Sequence, residues 1–113
     1  MKQDACVKRG TTPSLEIEIE KLNDIANVKK IEFIFKSRKD ENAQPILEKK
    51  YPDDVRYQND IFILKLSESE TRLFPPASTV YMDTRIIFKD GSIPKTEIAE
   101  FTTGPTLFKE MVI

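Results

Sequence analysis

The sequence predicts an all-β fold, a sandwich of about seven strands, on two observations. Apolar residues recur at every second position through most of the 113 residues, which is the period of a half-buried strand and not of a helix. Turn-forming residues separate these stretches at short intervals. The sandwich domain is expected over residues 1–105, followed by an apolar tail over 106–113. The predicted strands cover residues 5–9, 14–20, 28–36, 46–51, 61–66, 78–89 and 93–102.

The early strands are supported by alternation and by their boundaries. In the second strand apolar and acidic side chains alternate strictly, so the apolar set faces the core. The third strand repeats the pattern with aromatic and β-branched residues, which suit a pleated surface. The fourth lies between Pro45 and Pro52, which cannot donate to a ladder and therefore mark strand ends or a sheet edge. The inward residues of strands two and three are Leu15, Ile17, Ile19, Ile31, Phe33 and Phe35.

The fifth predicted strand is apolar on both faces. Phe62, Leu64 and Leu66 form the better inward set. Ile61 and Ile63 then point outward and need to be covered by another strand end or by another chain. These two isoleucines are therefore candidate partner-binding residues.

One helical turn is predicted after the fifth strand. Ser67 and Glu70 have the spacing of a capping box, which begins a helix, and Pro75 and Pro76 end it after about Phe74. A helical corner between the fifth and sixth strands, in a chain of about seven strands, matches an immunoglobulin-like sandwich. The corner carries the chain from one sheet to the other.

The sixth strand is the longest and leads into a predicted hairpin. Tyr81 is either a corner tyrosine that hydrogen-bonds back to the preceding loop or an ordinary half-buried strand residue. Asp90 and Gly91 tolerate the positive φ of a tight turn. The inward face of the last strand stays open, because two-residue and three-residue loops differ by one residue in register.

Composition excludes several classes of function. The chain has 18 basic and 19 acidic residues, a net charge of −1, no His, no Trp and one Cys. Without imidazole it cannot build Ser-His-Asp or Cys-His catalysis or a His or paired-Cys zinc site. Cys6 has no partner for an internal disulfide and is expected to be a small buried or half-buried side chain.

The net charge, which is near zero, does not provide the basic surface of a nucleic-acid-binding protein. No stretch approaches about 18 apolar residues, so no membrane insertion is expected. We expect no enzyme activity, cofactor, metal or small-molecule substrate.

An acidic stripe on the second strand is the main charged feature. Glu16, Glu18 and Glu20 lie on one face, about 7 Å apart along the strand. The stripe can receive a hard cation or a basic partner, or Lys30 or Lys36 on a neighbouring strand can neutralise it.

One alternative function follows from these residues. A small ligand-binding β-sandwich, for carbohydrate or calcium, would use the acidic stripe or Tyr51 and Tyr57, which are expected to be exposed. Separately, Asp83 and Arg85 share a face of the sixth strand and are predicted to form an ion pair.

The C-terminal tail is the most unusual segment. Pro105 favours an extended exit from the last strand. The tail either folds back on its own sandwich, as an added strand or a helical turn, or docks on a partner or a second copy. Its apolar residues, which are further candidates for partner binding, are Leu107, Phe108, Met111, Val112 and Ile113.

Residues 1–9 lack the apolar segment of a signal peptide, so the protein is expected to be made in the cytoplasm of a cell and kept there at first. Six parts of the chain, in this order, carry a family resemblance: VKRGTTP at 7–13, ILEK at 46–49, LSESET at 66–71, VYM at 80–82, FKDGS at 88–92 and a late Gly104. They resemble small proteins encoded among the virion structural genes of phages and prophages of Gram-positive bacteria.

A looser similarity is to the immunoglobulin-like N-terminal domain of phage upper baseplate proteins, where a similar Gly-Thr turn precedes the first strand. The resemblance implies an immunoglobulin-like structural module of the virion or tail. It implies other virion or tail proteins, or a second copy, as partners, and it implies no catalytic residues.

Overall fold

The computed structural model describes residues 6–19, 22 and 25–104. Within them the chain forms eight strands, one short α-helix and a 3₁₀ turn at Ile25–Asn27. The strands are β1 (Cys6–Lys8), β2 (Ser14–Ile17), β3 (Val28–Lys36), β4 (Leu47–Tyr51), β5 (Arg56–Gln58), β6 (Ile61–Lys65), β7 (Thr79–Phe88) and β8 (Ala99–Gly104), and the helix is α1 (Glu68–Thr71).

The strands form two packed sheets. One has the order β1-β8-β7-β3-β4 and the other the order β2-β6-β5. β1 runs parallel to β8, and the other neighbours are antiparallel. This strand order is that of an immunoglobulin-like sandwich, with β2, β6 and β5 in one layer and β8, β7 and β3 in the other. The predicted fold class is confirmed.

Aromatic side chains from both sheets and from the corner fill the core. Phe33 and Phe62 come from opposite sheets, and their ring centroids lie 6.1 Å apart. Phe74 follows α1, and the centroid of its ring lies 5.9 Å from that of Phe35 and 5.5 Å from that of Phe101. Full burial of each such side chain stabilises the fold by about 1.5–3 kcal/mol. The predicted inward sets of the third and fifth strands are confirmed by burial. In the second strand Ile17 is buried, whereas Leu15 and Ile19 are half-buried and pack against the core.

The capping box begins α1 as predicted. The Ser67 hydroxyl accepts a hydrogen bond from the Glu70 amide at 3.2 Å, and the Ser67 amide donates to the Glu70 carboxylate at 2.8 Å. The Phe74 amide donates to the Thr71 carbonyl at 3.3 Å, so the turn ends where Phe74 enters the core.

Two strand predictions were wrong, and a third strand, predicted over residues 14–20, ends at Ile17. β5 was missed because it has only three residues; it is joined to β6 through Asn59 and Asp60, whose φ angles are 53° and 64°, as a two-residue hairpin requires. The last strand begins at Ala99 and not at Ile93, since Pro94 has no amide for the ladder. Ile93 therefore remains 53% exposed.

The hairpin after β7 has a three-residue loop. The Gly91 amide donates to the Phe88 carbonyl at 2.9 Å, and the Phe88 amide donates to the Ser92 carbonyl at 3.0 Å. Gly91 has a φ of 90°. In β8 the ladder pairs Phe101 with Val80, and both side chains are buried. This settles the face of the last strand that the sequence left open.

We expect Gly91→Ala to lower the free energy of unfolding by about 1–2 kcal/mol. No atom lies within 4 Å of the added Cβ, so the cost comes from the positive φ alone. Ala77, with a φ of 46°, is the matched control. Ala77→Gly should leave stability unchanged or raise it by up to about 1 kcal/mol, and urea denaturation measures both. Equal losses in the two variants would contradict this account.

Candidate interaction surface

The outer face of the three-stranded sheet carries the predicted residues Ile61 and Ile63. Both are half-buried and lie two positions apart on β6, whose inward residues Phe62 and Leu64 are fully buried. The register places Glu16 of β2 on one side of Ile63 and Arg56 of β5 on the other. An apolar centre therefore lies between charges of opposite sign.

A shallow depression lies beside Ile63. Its volume is about 380 Å³, and the connection from β4 to β5 forms one wall. Val55 in that connection is only 5% exposed, so it anchors the wall to the core. Two acidic and two basic residues line the depression together with three apolar residues, and such a mixture of charged and apolar groups occurs in protein contacts. Its lining residues are Pro52, Asp53, Asp54, Val55, Arg56, Ile63 and Lys65.

The acidic stripe has different neighbours from those expected. Glu16 and Glu18 are exposed, and Glu20 lies outside the described residues. The strand beside β2 is β6, whereas Lys30 and Lys36 lie on β3 in the other sheet, so the predicted neutralisation by these lysines is wrong. Sheet membership, which alternation does not encode, is the reason. Among the described residues no group of three or more Asp, Glu, Cys or His side chains is arranged to hold a metal ion.

Tyr51 and Tyr57 are not exposed, contrary to the expectation. Their rings pack on Phe62 with centroid distances of 5.4 Å and 4.6 Å, and both are half-buried. The Tyr57 hydroxyl donates to the Asp60 carboxylate at 3.0 Å, and this hydrogen bond raises the pKa of Tyr57. The two tyrosines close one side of the core and do not form a platform for a sugar ring.

Arg85 pairs with Glu32, and the predicted pair with Asp83 is wrong. The Arg85 Nε donates to the Glu32 carboxylate at 2.7 Å, across neighbouring strands. Directly opposed residues lie about 5 Å apart, closer than the spacing of about 7 Å along one strand. Burial alone would raise the pKa of Glu32, but the hydrogen bond and charge of Arg85, with Lys30 and Lys50 nearby, lower it.

Tyr81 lies on the outer face of the large sheet, opposite Lys36 and Glu100. The Lys39 ammonium lies 5.4 Å from the centroid of its ring, a cation–π contact. Tyr81 is therefore a half-buried strand residue, the second of the two predicted alternatives, and not a corner tyrosine.

A threonine hydroxyl holds the corner instead. Thr71 is fully buried, and its Oγ1 accepts from the Gly10 amide at 3.0 Å and donates to the Thr11 carbonyl at 2.9 Å. Arg9 donates to the Arg72 carbonyl at 3.1 Å. The turn between β1 and β2 is therefore joined to α1. The sequence reasoning missed Thr71, whose only signal is a small hydroxyl residue at the end of the capping box.

A second threonine ties the other side of the corner. Thr103 of β8 is 3% exposed; its hydroxyl donates to the Pro75 carbonyl at 2.6 Å and accepts from the Ser78 amide at 2.9 Å. The loop from α1 to β7 is thereby held on the large sheet.

An ion pair joins β4 to α1. Lys49 lies opposite the buried Phe33, so it points toward the other sheet, and its ammonium lies 2.8 Å from the Glu70 carboxylate. Burial alone would raise the pKa of Glu70, but hydrogen bonds from Lys49 and from Ser67 outweigh it and lower the pKa. Glu70 thus takes part both in the capping box and in the ion pair with Lys49.

Several predicted residues lie outside the described part of the chain. They are the tail residues Leu107, Phe108, Met111, Val112 and Ile113, and the side chain of Cys6. The predictions made for them remain predictions. In the part that the structure describes, no helix has the length and apolar character needed to cross a membrane.

No protein family and no curated protein matches the chain in sequence. Similar solved structures include parallel homodimers of the extracellular domain of the voltage-gated sodium channel beta4 subunit, related there to cell–cell adhesion. That structure is 10% identical, covers 91% of this chain and 90% of its own, and has a TM-score of 0.38. The likeness concerns the fold alone, and neither the pairing nor the adhesion of that protein is carried over.

We expect Thr71→Val to lower the free energy of unfolding by about 1–3 kcal/mol, because the Gly10 amide and the Thr11 carbonyl lose their buried partner. Thr102→Val, at an exposed position of β8, is the control and should change stability by less than about 0.5 kcal/mol. Urea denaturation with an unchanged m-value is the measurement. Similar small effects in both variants would show that the hydroxyl does not hold the corner.

The protein should become less stable as the pH falls below 4.5, the ordinary pKa of a glutamate side chain. Glu32 and Glu70 have lowered pKa values in the folded state, so the unfolded chain takes up protons first as the pH drops. Their stabilising contribution is present above pH 4.5 and is lost as the pH falls through the folded-state pKa values. Glu32→Gln with Glu70→Gln should give a flatter curve of unfolding midpoint against pH from 6 to 3. Glu48→Gln, an exposed control on β4, should keep the wild-type slope.

Proposed function

We propose that this protein is a non-enzymatic structural module of a phage or prophage virion, associated with the tail, which binds other virion or tail proteins. The observation that carries the proposal is the outer face of the three-stranded sheet, where Ile63 lies between Glu16 and Arg56 and Ile61 lies two positions away on the same strand. Half-buried isoleucines with a charged rim suit a protein contact better than a catalytic site.

The sequence resemblance to phage structural proteins also supports this function. Two of the resembling segments, 7–13 and 66–71, are about sixty residues apart and meet at the Thr71 hydroxyl. Both segments serve one structural feature, the hydrogen-bonded contact between the turn after β1 and α1. The resembling segment 88–92 contains the three-residue hairpin loop and the two residues that flank it. Two of the six resembling segments thus form the contact that holds the corner of the sandwich.

No observation favours the ligand-binding alternative to the same degree. Tyr51 and Tyr57 are engaged with Phe62, and Glu16 and Glu18 form no metal-binding group with another described residue. The surface offers charged residues of both signs around an apolar centre, and this pattern is complementary to another protein surface.

The test uses the phage or induced prophage that encodes the chain. Its gene is deleted and complemented with the wild type, with Ile61→Glu/Ile63→Glu, or with Ile93→Glu, the same type of substitution at an exposed isoleucine in the connection between β7 and β8. We expect the chain to be found by mass spectrometry in gradient-purified tails or particles. The double variant should reduce its incorporation at least about tenfold, the equivalent of 1.4 kcal/mol of binding. Ile93→Glu should behave as wild type.

Circular dichroism of the purified variants confirms that each remains folded. If the chain is absent from particles and tails, and the deletion leaves their assembly intact, the proposal is wrong. Saturable binding of calcium or of an oligosaccharide in calorimetry, together with that result, would favour the ligand-binding alternative.

A further inference from the structure

Arg9 lies in the turn after β1 and has an unusual environment for a charged side chain. Its Nη2 donates to the Arg72 carbonyl at 3.1 Å, and its Nε is buried without a hydrogen-bond acceptor. Among the described residues, this Nε is the only buried side-chain nitrogen or oxygen that lacks such a partner. A buried polar group without a partner costs free energy, and such groups are rare in folded proteins.

The charge of Arg9 is also uncompensated within the described part of the chain. Arg38, Arg72 and Arg85 each form an ion pair with a carboxylate, whereas the acceptor for Arg9 is a neutral carbonyl. A guanidinium withdrawn from water is stabilised by a carboxylate, which its planar fork binds with two hydrogen bonds. Arg9 is only half-buried, so a ligand can reach the group from solvent.

A second guanidinium lies at the same turn. Arg72 packs on Gly10, where an added Cβ would lie 3.2 Å from the Arg72 Nη2. The Nε and Nη2 of Arg72 donate to one oxygen of Glu68 at 3.2 Å and 3.0 Å. The Glu68 side chain is 60% exposed, and an exposed ion pair contributes little free energy. Another carboxylate can therefore compete with Glu68 for this arginine.

An exposed leucine adjoins the two arginines. Leu73 directly follows Arg72, whose carbonyl receives the hydrogen bond from Arg9. It is 57% exposed, more than any other large apolar side chain in the described part of the chain. Apolar surface beside cationic groups suits a ligand that carries a carboxylate next to an apolar side chain.

We propose that Arg9, Arg72 and Leu73 form a binding site for a carboxylate of a partner protein, borne next to an apolar side chain. The two guanidinium groups share one carboxylate, that of Glu68, so these side chains carry a net positive charge. A bare inorganic anion would leave Leu73 uncovered, whereas an apolar neighbour of the carboxylate would remove it from water. None of these residues belongs to the outer face that contains Ile63, so the site does not depend on the proposed virion role.

NMR of the arginine side chains tests the site directly. The Nε–Hε signals of the ¹⁵N-labelled full chain are followed while N-acetyl-leucine, a carboxylate beside an apolar side chain, is added at constant ionic strength. The Arg9 signal should shift saturably, and the Arg72 signal should shift with it. N-acetyl-leucinamide, in which a neutral amide replaces the carboxylate, should leave both signals in place. The Arg38 signal is the internal control, because this side chain is 68% exposed and lies between β3 and β4.

Three substitutions separate binding from a merely structural role. Arg9→Met keeps the aliphatic stem but removes the guanidinium, and it should weaken the binding of N-acetyl-leucine, followed at the Arg72 signal, at least about tenfold. Arg38→Met, the matched control, should leave the affinity unchanged. Glu68→Gln should strengthen binding at least about twofold, because it removes the carboxylate that competes for Arg72. A change that only loosened the corner would not tighten binding, and backbone amide spectra confirm that each variant is folded.

Four results would overturn the proposal. The first two are the absence of a saturable Arg9 shift in the full chain and equal binding of the neutral amide. Inorganic phosphate that binds as tightly as N-acetyl-leucine at the same ionic strength would indicate a general anion site in which Leu73 has no part. Binding that appears only after removal of residues 1–5 or 105–113 would show that the chain itself occupies the site.

Discussion

The buried hydroxyl of Thr71 is the joint on which the arrangement of the two sheets depends. It binds the turn that leads from β1 in the large sheet to β2 in the small sheet, and it belongs to the helix that leads from β6 back toward β7. One side chain therefore holds both crossings at the same end of the sandwich. Gly10 fits the joint because its φ is 79° and because an added Cβ would lie 3.2 Å from the Arg72 guanidinium.

The edges of the two sheets are treated differently. At β4 the Asp54 amide donates to the Lys50 carbonyl at 2.6 Å, and the Asp54 carboxylate accepts from the Lys50 amide at 3.3 Å. The turn after β4 therefore occupies backbone groups that would otherwise be open to another strand. The Lys49–Glu70 pair joins the same strand to α1. Within the described residues β2, at the edge of the small sheet, has no such turn along its free side.

Part of the candidate surface was predictable from local pattern. Ile61 and Ile63 were assigned to an outer face because a two-residue period leaves only one inward set on β6. The charged neighbours of Ile63 were not predictable, since Glu16 and Arg56 lie beside it only through pairings between strands. The same reason explains Arg85, whose partner is Glu32 on the adjacent strand and not Asp83 on its own. Tyr51 and Tyr57 face the core because of where β4 and β5 lie in their sheets.

The sequence by itself determined the period-two strands, the capping box at Ser67, the tight turn at Gly91 and therefore the all-β class, because each depends on residues close together in the chain. Only the tertiary structure decided which strands share a sheet, which charges pair and how the corner is held. These depend on contacts such as that between Gly10 and Thr71, sixty-one residues apart, whose geometry no local pattern contains. The fold class therefore follows from patterns of residues that are close together in the chain. Which residues meet on the surface depends on how distant strands pair.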